Sequence, residues 1–546
     1  MSEKRLKDPL YGYVSIPTEI MSGVVDTAVF QRLRRITQTS YSPLYSSAVH
    51  NRFVHSLGVY HLGGIAVRTL KKEIENSPDG NVLSGVGIEL ERLEYVFLLA
   101  CLLHDVGHAP FSHTGEMFYL ENGKDYGLLH ELLAETVGTE EFRRDIPSER
   151  SNSAAPHEIM SAIVGIREFG DLMLPPAEKE FFARCITGYC YSDDVNMGSL
   201  LNCFIRLLNS KVIDVDKLDY LIRDAYITGY CTVDIDYTRL LTSLTVIKDG
   251  DCYNLAYYKG AISVIEDVVY AHDSERKWIQ NHPVILYECY ILQHIMEMLG
   301  KKHDTEGKRL FSMESLSVEG QTFEDGTLVR LLSDDDIIHM AKRYYEENDI
   351  IEEYFERKRR RHPLWKSEAE YKAFFRAHVE GGELLDSLEN AMEATAKYLS
   401  KNTTNWVINE DLAETLRREL ESLDTAGLEQ RTKAAQKKEK QDILNVVECL
   451  ISYAKSVGYE GDFVLLQSSQ FNSGFAKPDF SAIKIVFPAV PQSKVIRFGE
   501  RVSSISGITS ERQKFFYLCY KRTDGTADAL DVNALRGQLF VKFMEQ

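Results

Sequence analysis

The chain has 546 residues, with 82 acidic against 63 basic side chains and a formal charge of −19. It is long enough for roughly two to four domains and too acidic for nucleic acid or an anionic membrane to be a primary partner. Apolar residues make up 44% of it, which allows a sizeable core. Nine cysteines are scattered with no C-x-x-C pair, the thiol usage of a reducing compartment rather than of a disulfide framework or a zinc ribbon. The start "MSEKRLKDPLYGY" lacks the apolar stretch of a signal peptide, and the run Val96 to Leu103 is too short to cross a bilayer. A soluble, cytoplasmic protein without a membrane partner is expected.

In chain order, residues 1 to about 300 alternate helical periodicity with short breaks. "FVHSLGVYHLGGIAVRTLKKEI", "LERLEYVFLLACLLHD", "PHEIMSAIVGIREF" with Pro156 in its first turn, and "VDKLDYLIRDAYITG" closed by Gly229 read as helices. "LTVIKDGDCYNLAYY" reads as a hairpin turning at Asp249-Gly250, followed by helices over about 259–273 and 275–299. A polar segment, 300–326, leads to helical stretches between about 333 and 458. These include the basic run Arg357 to Arg361 and the charged stretch 428–441, read as a solvated helix. The pattern then changes to strands at "FVLLQSS", "SAIKIVFP" and "KVIRFG", a helix, and a strand at "KFFYLCYK". The fold expected is mainly α: a helical core over 1–320, a helical region over 321–458, and a smaller mixed α/β C-terminal lobe over 459–546. No internal repeat or P-loop is present, and "SGVGIEL" is too incomplete for dinucleotide binding.

His-Asp pairs occur at 104-105, 272-273 and 303-304, so the dipeptide alone says little. His303-Asp304 sits in a Lys- and Glu-rich stretch and reads as a solvated loop; His272-Asp273 reads as a cap at a helix junction. His104-Asp105 differs because an apolar segment delivers it into the interior, followed by Gly107, His108 and His113. By itself it fits a hydrogen-bonded helix terminus equally well. Two further segments tip the balance. "NRFVHSLGV" puts His55 on a helix with Arg52 one turn earlier, and "IDVDKLDYLIRD" spaces Asp216, Tyr220 and Asp224 along one helical face. His55, His104, Asp105 and Asp216 would form a set of two imidazoles and two carboxylates on three helices, suited to a divalent metal: Mn, Mg, Fe or Zn.

With "VHNRFVHSLGVYHL", "LLHDVGHAPFSH", "PHE" and "IDVDKLDYLIRD" in place, the sequence resembles the HD-domain metal-dependent phosphohydrolases, and among them the dGTPase-like deoxynucleoside triphosphate triphosphohydrolases. "KDPLYGYVSI", "VVDTAVFQRLRRITQ", "KVIRFGERVSSI" and "FFYLCYKR" extend the resemblance over nearly the whole chain. It implies an HD-domain catalytic core that hydrolyses a dNTP to deoxynucleoside and tripolyphosphate, with His55, His104, Asp105 and Asp216 as metal ligands. His108 would line the phosphate site and His113 with Glu116 would form a catalytic dyad, their i, i+3 spacing setting both on one helix face. His157 matches another active-site histidine, with His130 a rival for that place. Gln38, Arg52, Lys217, Tyr220 and Asp224 match substrate contacts, Arg52 and Lys217 to phosphates, Tyr220 and Asp224 to the sugar. Arg276 could also reach a phosphate.

The resemblance further implies a homo-oligomer, tetramer or hexamer, switched on by a nucleotide (GTP or dNTP), with a part in dNTP-pool control or antiviral defence. Lys4, Asp26, Gln31 and Arg34 stand at the matching effector positions, and Lys366 at a second, where His362 or Arg361 replaces the family's arginine. Gln280 occupies the place of an aromatic residue against the base, so base preference does not transfer. The competing expectations are another HD activity, on (p)ppGpp, cyclic nucleotides or monophosphates, and a non-catalytic nucleotide sensor. Asp105→Asn separates the last from an enzyme, because a sensor keeps its response.

Overall fold

The computed structural model describes residues 2–76, 90–192, 197–231, 233–375, 382–401, 406–425, 430–468, 473–488, 494–500, 515–522 and 530–544. As expected, the chain is mainly helical with small sheets. It divides into two compact units, each drawn from separate stretches of sequence. The first comprises Met1–Glu275, Leu299–Met340 and Asn472–Ser510; the second comprises Arg276–Met298, Ala341–Phe471 and Glu511–Gln546.

The first unit is built round the helix Arg52–Glu75, capped by Asn51 Oδ1, which accepts from Val54 N at 3.3 Å. It packs against helix Leu90–Leu103 and helix Val215–Thr228. The second half of Leu90–Leu103, from Tyr95 on, is apolar all round, and Val96, Phe97, Ala100, Cys101, Leu102 and Leu103 are fully buried, as the core end of a helix must be. Gly58 lets the Val215–Thr228 helix approach: a Cβ there would stand 1.8 Å from Asp219 Oδ1. Gly107 does the same for helix Pro156–Phe169, because its Cβ would meet the backbone of Met160 and Ser161 at 2.4 Å. Pro156 stands in the first turn of that helix, and Gly229, at φ +71°, closes Val215–Thr228, both as expected.

Some expectations shift. The hairpin strands are Leu244–Asp249 and Cys252–Tyr258 with Asp249 paired to Cys252, so the turn is Gly250-Asp251, with Gly250 at φ +62°. The helices after it are Ile262–Glu275 and Pro283–His303, separated by a π-helical turn, Arg276–Gln280. His303-Asp304 is not a solvated loop: His303 is buried, and Asp304 Oδ1 accepts from Leu310 N at 2.7 Å. His272-Asp273 lies inside helix Ile262–Glu275 rather than at a junction cap, and Asp273 instead accepts from Gly474 N at 2.9 Å and from Ser473 Oγ at the start of the turn Gly474–Ala476.

The strands beyond residue 459 do not form one sheet. Lys484–Phe487 lies parallel to Cys252–Tyr258 and antiparallel to Lys494–Arg497, extending the hairpin of the first unit to four strands. Phe463–Gln467 and Phe516–Tyr520 pair with each other, and Phe516–Tyr520 with His362–Pro363, in the second unit. The stretch 428–441 falls largely in helix Gln430–Ser456 and is mostly exposed there. The helix expected before "KFFYLCYK" and most of "SGVGIEL" lie outside the described residues; a helix over Val532–Met544 was not anticipated.

Candidate metal centre and histidine cluster

The ends of three elements deliver His55, His104, Asp105 and Asp216 to one place in the first unit. His55 Nε2 lies 3.2 Å from His104 Nε2, 2.9 Å from Asp216 Oδ1 and 3.7 Å from Asp105 Oδ2. His104 Nε2 lies 3.5 Å from Asp105 Oδ1 and 3.6 Å from Asp216 Oδ1. Ligand atoms about 2.0–2.2 Å from one cation are about 2.8–3.6 Å from their neighbours in tetrahedral or octahedral arrangements, so His55, His104 and Asp105, within 4.8 Å of one another, with Asp216 beside both imidazoles, have a spacing that fits a divalent ion.

The outer ring nitrogens support that fit. His104 Nδ1 is 2.9 Å from Cys101 O, and His55 Nδ1 is 2.7 Å from Asp219 Oδ2. Both therefore carry Nδ1–H as donor, which leaves the two Nε2 atoms facing each other with lone pairs that need a proton or a metal between them. Burial disfavours the His55 imidazolium, but Asp216 and Asp219 overcome it and raise that imidazole to about 9. Burial likewise works to raise Asp105, yet Arg52, His104 and His55 hold it below the usual carboxylate range. His104 and His55 do the same for Asp216.

Asp219 was missed in the sequence, although it lies four residues before Arg223. Arg223 grips it at 2.9 and 3.0 Å, and Tyr11 donates its hydroxyl at 2.7 Å. Tyr11 is set by the hairpin of strands Glu3–Asp8 and Gly12–Pro17, whose turn is held by Asp8 Oδ1 accepting from Leu10 N and Tyr11 N.

Beside these four candidate ligands stands a second group. His108 stacks on His157 with ring centroids 4.1 Å apart, and His113 meets both edge-on at 5.2 and 5.1 Å. Glu116 Oε2 is 2.5 Å from His157 Nδ1 and 3.5 Å from His113 Nδ1. The tighter partner of Glu116 is thus His157, where the sequence pointed to His113. His130 bonds to Tyr189 Oη at 3.2 Å and takes no part. Burial pushes His157 down, but Glu116 wins and raises it; Glu116, despite burial, is held below the carboxylate range by His157 first and His113 with it. His108 is fully buried, and burial, with Arg52 behind it, pushes its imidazole down; neither of its nitrogens has a hydrogen-bond partner, and Nε2 lies 3.7 Å from Asp105 Oδ1. His113 alone is open to solvent, 65% exposed. One nitrogen from each of the three imidazoles lies within 4.8 Å of the others, so this group too is able to hold a metal.

His113 and Glu116 do not share one regular helix. They sit on successive 3₁₀ turns, Ser112–Thr114 and Glu116–Tyr119, after two non-glycine residues at positive φ, Phe111 at 56° and Ser112 at 55°. Asp334 holds this strained stretch, accepting from Phe111 N at 2.6 Å and from Thr37 N and Oγ1 at 2.9 and 2.7 Å. Its role had no local signal, because it reaches the loop from some 220 residues away.

The expected substrate contacts are mostly engaged by protein groups. Arg52 donates to Asp105 Oδ2 at 2.8 Å, Ser112 Oγ at 2.9 Å and Gln38 O at 3.2 Å. Lys217 Nζ is taken by Asp214 Oδ2 at 2.6 Å and Ser210 O at 2.7 Å, and Asp224 by His50 Nε2 at 2.7 Å. Gln38 is buried with Oε1 unpartnered, and burial raises the Tyr220 phenol. Arg276 and Lys366 belong to the second unit, Lys366 exposed with its backbone N–H on Glu370. Arg361 is buried there in ion pairs and is not a free nucleotide contact. The N-terminal effector candidates form two small pairs: Lys4 with Asp26 at 3.6 Å, and Arg34 Nε with Gln31 Oε1 at 2.8 Å. Among the described residues, no helix is long and apolar enough to cross a membrane.

Residues 52–180 match the family model of the HD domain. The chain is similar to relatives named deoxynucleoside triphosphate triphosphohydrolase SAMHD1. The bovine protein is 39% identical over 294 residues, 52% of this chain and 45% of that one; the Dictyostelium discoideum homolog is 29% identical over 262 residues, 46% and 41%. The chain spans about half the length of the curated relatives it matches. A crystal structure of a hypothetical protein from Aquifex aeolicus matches at TM-score 0.53 and 19% identity, covering 98% of this chain and all of that one, a likeness of fold alone.

Proposed function

We propose that the protein is a metal-dependent hydrolase of deoxynucleoside triphosphates, releasing deoxynucleoside and tripolyphosphate. The observation that carries the reading is the pair of Nε2 atoms turned toward each other beside Asp105 and Asp216, with their outer nitrogens already committed. His55, His104, Asp105 and Asp216 would hold the ion, which supplies charge neutralisation at the phosphates and lowers the pKa of a water. Arg52 fixes Asp105 in place and stands as the first cation behind the site. His113, exposed at the mouth, is the imidazole able to reach a leaving oxygen, and Glu116 orients it while anchoring His157. A positioned acid of this type contributes about 10²- to 10⁴-fold. His108, with no hydrogen-bond partner at either nitrogen, can offer an N–H donor to a phosphate oxygen. Gln38, Tyr220 and Asp224 are assigned to the substrate, Lys217 to its phosphates once Asp214 shares it.

A homo-oligomer activated by a nucleotide at Lys4, Asp26, Gln31 and Arg34, with Lys366 at a separate second effector position, acting in the cytoplasm, belongs to the same proposal. It is supported by the resemblance of those positions. The test is incubation with each dNTP and Mn²⁺ or Mg²⁺, with products resolved by chromatography. Deoxynucleoside plus tripolyphosphate is the expected result; monophosphate plus pyrophosphate, or no turnover of any dNTP, would overturn it.

A further inference from the structure

The first unit also holds an open cavity of about 740 Å³, lined by residues 151–155 and Glu158, 187–190, Arg206, residues 209–213, Asn254, Leu255 and Tyr257 of strand Cys252–Tyr258, and Asp479 with residues 482–484. None of the four candidate metal ligands and none of the clustered histidines lines it. Its volume is that of a small-molecule site, roughly 300–1,000 Å³.

Three cations face it: Arg206, Lys211 and Lys484. Among the described residues none of the three has an ion-pair or hydrogen-bond partner, in a chain whose acids outnumber its bases by 19. Lys217 nearby in sequence is the contrast, its ammonium already taken by Asp214 and Ser210. Of the two acids on the wall, Glu158 accepts from Ala155 N at 2.6 Å and Asn209 Nδ2 at 2.7 Å, while Asp479 is exposed. Unpaired cations gathered on a concave wall raise the local potential and concentrate anions there. A guanidinium and two ammonium groups match a ligand with several phosphate oxygens better than a single carboxylate.

We propose that this cavity binds an oligophosphate, held by Arg206, Lys211 and Lys484: the phosphate chain of a nucleotide or inorganic tripolyphosphate. The site has a route to the metal centre. Ser210, on its wall, donates its N–H to Asp214 Oδ2 at 2.9 Å and accepts from Lys217 Nζ, and Asp214 caps the helix that carries Asp216. Occupancy therefore bears on the helix that presents one of the four ligands. The assignment rests on the cavity and its cations and is independent of the reading of the metal centre.

The test is calorimetric titration of the full chain, with a chelator present so that no divalent ion bridges phosphate to the metal centre. Inorganic tripolyphosphate is the probe in one arm and dATP in the other. Saturable binding is expected, and binding in either arm supports the site; tighter binding of dATP adds recognition of the nucleoside. Arg206→Gln/Lys484→Gln should weaken it at least about 10-fold, the loss of one or two charge-assisted hydrogen bonds, and Arg206→Lys should retain most of it. Because these cations have no partner to lose, the double variant should melt as the wild type does without ligand and lose the ligand-induced rise in Tm. Wild-type affinity in the double variant, or no saturable binding in either arm, overturns the proposal.

Discussion

Both units bury a network of charge, and the two networks end differently. In the second unit Arg361 donates Nε and a terminal nitrogen to Asp462 and the other to Glu353. Glu353 Oε1 also accepts from Tyr287 Oη at 2.5 Å and Arg361 N at 2.7 Å. Every charge there meets an opposite charge and little hydrogen-bonding capacity is left over. In the first unit, Asp219, Arg223, Tyr11 and Asp8 form an equally dense network, but it terminates on His55 Nδ1 and leaves Nε2 directed at His104 Nε2. Buried charge by itself therefore says nothing about function. Nitrogens and carboxylates of several side chains converging at the open end of such a network do.

The contrast breaks most severely at its centre. Asp105→Asn removes the carboxylate charge between two imidazoles and Arg52. Orienting partners alone typically contribute about 10- to 100-fold to metal affinity, so loss of a ligand should cost more than about 10²-fold in bound metal and in turnover. Metal analysis of the purified variant checks the first and the dNTP assay the second. Arg361→Met is the counterpart in the closed network. Leaving Glu353 buried without its partner should destabilise the protein by about 3–5 kcal/mol, read by denaturant unfolding. Metal content should stay at the wild-type level, and replacing Glu353 with Leu as well should recover much of the loss.

These two networks also mark how far the sequence could be read. His55, His104, Asp105 and Asp216 were legible because a His-Asp pair followed an apolar helix and two more helices offered ligands at helical spacing. Asp219 and Asp334 were not, since their work is done on residues some 164 and 223 positions away and no local pattern encodes that reach. The pairing of Glu116 with His157 rather than His113 was hidden for the same reason: i, i+3 spacing implies one helix, and the strained turn at Phe111-Ser112 breaks it. The mainly helical class was readable from periodicity, while the division of the late strands between two sheets depends on which edges they find.

A smaller effect sharpens the metal reading. Asp219→Asn keeps the size of the side chain but weakens its hold on His55 Nδ1–H, and metal affinity should fall about 10- to 100-fold, with His55, His104, Asp105 and Asp216 all intact. The Glu116–His157 pair gives a directional test in pH. His157 is raised above its ordinary value of 6.5 in the folded chain, so its contribution is full below that value and is lost as pH rises through the folded pKa. Glu116 is depressed below its ordinary value of 4.5, so its contribution is full above 4.5 and is lost as pH falls through the folded pKa. The pair should therefore stabilise most between about 4.5 and 6.5. Melting temperature against pH should lose that maximum in Glu116→Gln, and an unchanged profile would remove the pairing.

The smallest expected effect lies at the other extreme of burial. Lys4 and Asp26 stand 3.6 Å apart with side chains 53% and 48% exposed, so water and salt screen most of their attraction. Lys4→Ala should change stability by less than about 0.5 kcal/mol. That insensitivity makes the position a clean probe of the proposed effector role. A nucleotide phosphate placed there would meet the Lys4 ammonium directly, and the substitution should then lower the stimulation of dNTP hydrolysis by GTP while the melting temperature stays put. Stimulation equal to that of the wild type would leave Lys4 and Asp26 as a surface ion pair with no part in regulation.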